Sequence, residues 1–77
     1  MSDRLFQLFS EVLEVDVSTL NDESSPDTIE QWDSLGAMHL VAAIEGEFGV
    51  QLSTKEIMKM TTIGFARETL RKKGVDI

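Results

Sequence analysis

The sequence predicts an all-α fold with three main helices, one short helix and a long loop between the first two. Three observations carry that prediction. Apolar residues recur at helical spacing in separate segments, capping residues stand at the segment boundaries, and no stretch reads convincingly as a strand. Seventy-seven residues, 42% of them apolar and 27% charged, suit a single compact domain over residues 1–77, with too little chain for a second core or a large substrate cleft. There is no internal repeat or low-complexity run.

The first helix rests on Leu5, Phe6, Leu8, Phe9, Val12 and Leu13, which fall on one face, and it is expected to run to about Glu14. Ser2 or Asp3 would cap it, and Asp3 also suits the positive end of the helix dipole. From Val15 to Asp33 the chain is rich in Asp, Ser and Thr and holds the only proline, Pro26. Val15, Val17, Leu20, Ile29 and Trp32 are spread along it, so the loop is expected to be ordered across the core, with a turn of helix near Pro26 to Glu30.

Ser34 to Phe48 is the strongest helical signal, about 22 Å long at ~1.5 Å per residue. Ala37, Leu40, Val41, Ile44 and Phe48 share one arc and form the expected core face. Leu35, Met38 and Ala42 form a second stripe, either buried beneath the loop or exposed as a docking surface. Gly49 ends the helix. Ser53 and Glu56 have capping-box spacing before a short helix from about Thr54 to Met60. Thr62 caps the last helix, with Ile63, Ala66 and Leu70 on its apolar stripe, Phe65 and Thr69 beside them, and Arg71, Lys72 and Lys73 at the end where the dipole favours cations. Gly74 stops it.

The formal net charge of −7 argues against a nucleic-acid partner. Residues 1–54 hold eleven of the fourteen acids and one base, Arg4, whereas residues 55–77 carry six of the seven Lys and Arg. Such a bipolar surface would orient the protein on a charged partner, or simply keep it solvated. No apolar run approaches the ~18 residues of a membrane span and no leader-like segment opens the chain, so a cytoplasmic protein that begins where its fold begins is expected. A monomer is expected too.

Independent catalysis finds no support. His39, the only histidine, lies five residues beyond Ser34 on the same helix, ~140° around it and ~7.5 Å along the axis, so Asp33, Ser34 and His39 cannot form a triad. Cysteine is absent, which removes disulfides and thiolate metal sites. The loop acids Asp22, Glu23, Asp27 and Glu30 lack the ligand alternation and central glycine of a calcium hand, and no metal site is expected. Met38, Met58 and Met60 read most simply as core or groove fillers.

Ser34 therefore stands out. Capping the helix is one role for it. It also sits where a loop meets a helix, so a modifying enzyme can reach it; an attached phosphodiester would face unpaired N–H groups at the helix start; and the Leu35, Met38 and Ala42 stripe is adjacent.

Asp33-Ser34-Leu35 after a loop, followed by Leu40, Ile44 and Glu45-Gly46-Glu47-Phe48-Gly49, resembles the acyl carrier protein family, in which an Asp-Ser-Leu triplet opens the second helix. The resemblance spans nearly the whole chain, through the short third helix and Thr61-Thr62, and implies a four-helix acyl-carrier-like bundle. It implies that Ser34 carries a 4′-phosphopantetheine arm transferred from coenzyme A by a phosphopantetheinyl transferase. The arm's thiol would hold acyl or aminoacyl groups as thioesters, supplying the thiol that this cysteine-free chain lacks. The resemblance makes Asp33 the acid read by the modifying enzyme and Leu35, Met38 and Ala42 contacts for partners: that transferase, a loading enzyme, and the synthases or transferases that use the thioester.

Gly36 and His39 depart from the family, since carriers of primary fatty acid synthesis typically place acids two and five residues after the serine; Gly46 replaces another. Fewer acids on this helix, and the basic Arg71, Lys72 and Lys73, favour a specialised pathway such as polyketide, nonribosomal peptide, modified-sugar or aminoacyl transfer. A housekeeping fatty acid carrier and an unmodified acidic interaction module are the rival readings.

Overall fold

The computed structural model describes residues 3–77. It is helical: α1 (Arg4–Leu13), a 3-10 turn (Val17–Thr19), α2 (Ser34–Phe48), α3 (Thr54–Lys59) and α4 (Ile63–Lys72), with no strand among the described residues. Asp3 caps α1, its carboxylate accepting the amides of Leu5 and Phe6 at 2.9 and 3.3 Å. Ser2, the other candidate cap, lies outside the described residues. Glu14 closes α1 in the left-handed region at φ 55°. Arg4 at the start of α1 pairs with Glu47 at the end of α2 at 3.0 Å and lies over the Phe48 ring, which makes the two helices antiparallel.

Leu5, Leu8, Phe9 and Leu13 of α1, Leu40 and Ile44 of α2, and Ile63, Ala66 and Leu70 of α4 form the core. Burying each of the Leu, Ile and Phe side chains contributes about 1.5–3 kcal/mol. The core face of α2 matches the expected one at four of its five positions: Leu40 and Ile44 are buried and Ala37 and Phe48 pack against the core. Val41 departs from it, being half-buried and outside the core cluster, while Ala43 on the other side of Leu40 packs against it.

The loop between α1 and α2 is ordered by three apolar anchors, Leu20, Ile29 and Trp32, all buried, with Trp32 meeting Phe9 edge-on at 5.2 Å between ring centres. Helical turns in it fall in two places. The Val17–Thr19 turn, capped by Asp16, was not expected, and around Pro26 one i→i+4 bond joins the Ile29 amide to the Ser25 carbonyl. The α4 N-terminus also holds the loop, as the amides of Ile63 and Gly64 donate to the carbonyls of Ser24 and Asp22.

Ser53 and Glu56 complete the expected capping box of α3, and Thr62 caps α4. The methionines depart from the expectation: Met60 packs on the core, but Met58 is 75% exposed and Met38 lies largely in solvent. Phe65, beside the apolar stripe of α4, is about half exposed.

Arg67 of α4 is a buried charge. Only 7% exposed, its guanidinium reaches Asp3 at 2.8 Å and Asp22 at 3.1 Å and lies over the Phe6 ring. Burial opposes its charge, but the two carboxylates outweigh that and raise its pKa. Burial likewise pushes the Asp3 carboxyl up, and the Arg67 contact together with the Phe6 and Leu5 amides overcomes it, leaving Asp3 below the usual carboxylate value.

Candidate functional site

The start of α2 is fixed from both sides. Upstream, Trp32 is buried and its amide bonds to the Ile29 carbonyl, so the loop enters the helix along one path. Downstream, Leu40 and Ile44 pin the helix to the core. The N-cap is Asp33, not Ser34: the Asp33 carboxylate accepts the Gly36 amide at 2.8 Å and its carbonyl accepts the Ala37 amide at 2.8 Å. The acid immediately before the helix reaches the third amide of the first turn, and this moves Ser34 to the first helical position.

Ser34 is thereby freed from capping. It is exposed, and the Asp33 side chain does the structural work that the serine would otherwise perform. Once Gly36 and Ala37 are bonded to Asp33, the first-turn amides of Ser34 and Leu35 have no acceptor from the helix itself. Two free N–H groups and the helix dipole thus face the position where an anion on Ser34 would sit.

Gly36 has a steric reason. A β-carbon there would meet the Gln31 carbonyl oxygen at 2.5 Å and Leu13 Cδ2 at 3.2 Å. The loop end, α1 and α2 close on one another through this glycine. Beyond it, Leu35 and Met38 are 61% and 67% exposed and Ala42 is exposed as well, so the loop does not cover the second stripe. On α3, Ile57 and Met58 are also exposed. His39 is exposed on α2. Of the apolar groups outside the core, the helical wheel located the α2 stripe; it gave no warning of Ile57 and Met58, whose short helix carries too little periodicity.

A family model described as "phosphopantetheine attachment site" matches residues 3–64. The chain belongs to this family. Its prosthetic group is 4′-phosphopantetheine, and carrier domains of this family bear that cofactor and work with partner enzymes rather than catalysing reactions themselves. No curated protein matches the chain. The residues at the start of α2 fit the group: an exposed hydroxyl released from capping, two free amides for a phosphodiester, and an exposed apolar stripe alongside. No helix among the described residues is long and apolar enough to cross a membrane.

Proposed function

We propose that Ser34 is the attachment point of the 4′-phosphopantetheine arm and that the protein is a carrier for a specialised biosynthetic pathway. The observation that carries the assignment is the exchange of roles at the helix start. Asp33 caps α2 and leaves the Ser34 hydroxyl exposed, in a chain whose family exists to hold this arm. In modification by a phosphopantetheinyl transferase, the Ser34 oxygen forms a new bond to the β-phosphorus of coenzyme A, the diphosphate P–O bond breaks, 3′,5′-adenosine bisphosphate leaves, and the hydroxyl proton passes to the transferase's base. The free Ser34 and Leu35 amides then face the phosphodiester. Once bound, the arm supplies a thiol that carries acyl or aminoacyl groups as thioesters.

Asp33, Leu35, Met38 and Ala42 form the recognition surface in this proposal, with an apolar grip available to the transferase, to a loading enzyme and to the synthases or transferases that consume the thioester. The pathway reading rests on charge. From Ser34 to Ile44, α2 carries no acid, and Gly36, His39 and Gly46 stand where carriers of primary fatty acid synthesis typically place them. Enzymes that read those acids with Arg or Lys gain little from this surface.

Intact mass after incubation with coenzyme A and a broad-specificity phosphopantetheinyl transferase tests the attachment. The wild type should gain one phosphopantetheinyl group and Ser34→Ala none. Modification of Ser34→Ala would overturn the assignment by placing the attachment at another residue, and a wild type that stays unmodified would leave the acidic interaction module as the better reading. Efficient fatty acid elongation in a reconstituted synthase would instead favour the housekeeping carrier.

A further inference from the structure

A shallow groove of about 260 Å³ lies between the end of α1 and the first turns of α2. Val12, Leu13, Gln31, Leu35, Gly36 and His39 line it, and Asp33 borders it too, so Ser34 stands in the chain between two residues of its wall. We infer that this groove is the resting berth of the phosphopantetheine arm, which lies back along the α1–α2 seam rather than out along α3. The inference rests on attachment at Ser34 and adds where the arm goes when no partner holds it.

Three features point there. The first is chemical match. Val12, Leu13 and Leu35 give an apolar lining for the arm's geminal methyl pair. The exposed Gln31 and His39 side chains offer donors and acceptors to its hydroxyl and two amides. Glu14, also at the groove, can accept an amide N–H farther along.

Shape is the second feature. Because Gly36 has no side chain, the Gln31 carbonyl and Leu13 close against α2 beneath the groove. A concave surface removes more of a ligand from water than the open stripe of Leu35, Met38 and Ala42 does.

Reach is the third. His39 is ~7.5 Å along and ~140° around the helix from Ser34, so the arm must turn about the helix start to enter the groove; the arm from Ser34 to its sulfur, roughly fourteen bonds of ~1.5 Å each, is long enough for that path. A tether this short holds the arm at an effective concentration in the millimolar range. An intrinsic dissociation constant of about 1 mM therefore keeps it docked for half the time or more. So weak a hold is easily reversed by a partner enzyme that offers the arm a deeper tunnel.

The test uses uniformly ¹³C,¹⁵N-labelled protein converted with unlabelled coenzyme A, with conversion followed by intact mass. Isotope-filtered nuclear Overhauser spectra should connect the arm's methyl protons to Val12, Leu13 and the His39 ring. In the Gln31→Ala/His39→Ala double variant the cross-peaks to Val12 and Leu13 should be lost while conversion still goes to completion. Cross-peaks to Ile57 or Met58 instead, no cross-peaks at all, or cross-peaks that persist undiminished in the double variant would overturn the berth and leave the attachment intact. No mass gain in the wild type would overturn the attachment itself, and the berth with it.

Discussion

The carbonyl oxygen of Gln31 stands where residue 36 would place a side chain, 2.5 Å from the position of a β-carbon on Gly36. Replacing that glycine with alanine in a helix interior would ordinarily gain about 1 kcal/mol. Here the obstruction is backbone, fixed by the neighbouring buried Trp32, and relieving it shifts the loop end or the helix start. Gly36→Ala should therefore lower stability by about 1–3 kcal/mol, read as a lower urea midpoint at unchanged slope. A raised midpoint would show that the loop end yields freely.

Capping by Asp33 makes the two adjacent residues separable. Asp33→Ala should cost about 1 kcal/mol of stability, whereas Ser34→Ala should stay within ~0.5 kcal/mol. The two variants part company by thermal unfolding before any enzyme is added. A loss of 1 kcal/mol or more in Ser34→Ala would return the cap to the serine.

Met38→Ala should leave stability within ~0.5 kcal/mol of wild type, because the side chain is mostly in solvent. Its cost should fall on recognition, with kcat/KM for phosphopantetheinyl transfer reduced roughly fivefold, as for a contact worth ~1 kcal/mol. A stability loss of ~2–5 kcal/mol, the range of a core truncation, with normal modification would contradict the exposed placement.

Charge on α2 can be restored without disturbing the fold. An acid at position 36 is a poor test, since its β-carbon strikes the Gln31 carbonyl, but nothing lies within 4 Å of a β-carbon at Gly46 and His39 is exposed. His39→Glu with Gly46→Glu should raise turnover by a primary fatty acid ketosynthase. The gain should shrink as salt rises, because screening acts within ~8–10 Å at physiological ionic strength. Equal turnover of wild type and variant at low salt would remove the support for a specialised pathway.

Arg67 and Asp3 set part of the acid limit of stability. The Asp3 carboxyl titrates lower in the folded protein than in the unfolded chain. Its contribution is thus complete above the unfolded carboxylate range, about pH 4, and is lost as pH falls through the lower folded value. Arg67→Met should cost about 1–3 kcal/mol near neutrality, less than a fully buried pair because Asp3 and Asp22 keep solvent contact. It should also flatten the stability profile below about pH 4. An unchanged acid limb would mean that Arg67 does not act through Asp3.

What was legible in the sequence follows from which features are periodic or local. Helix ends marked by Asp3, Ser53, Glu56, Thr62 and Gly49 could be read because a cap is a local hydrogen bond. The exposed stripe at Leu35, Met38 and Ala42 could be read because an α2 of 15 residues has a defined wheel. The Gln31–Gly36 approach could not, since it depends on where the loop re-enters. Nor was Ser34's release from capping visible, because Asp33 and Ser34 are both good caps and only backbone geometry chooses between them. Arg67 did leave a signal. It lies four residues after Ile63 and three before Leu70, on the buried side of α4, and its charge masked a position that the spacing had marked.

The Arg67 junction joins residues 3, 22 and 67, and that span bears on the order in which the protein is built. A chain emerging from the ribosome shows Ser34 long before Arg67 exists, and until α4 arrives the loop has neither its ion pair nor the bonds from Ile63 and Gly64 to Asp22 and Ser24. Closing so wide a separation is a late, entropically opposed event. The loop that leads into α2 therefore acquires its final setting only once α4 has been made. If Ser34 is the modified residue, as proposed, an enzyme that reads the folded surface meets its substrate after α4 has docked.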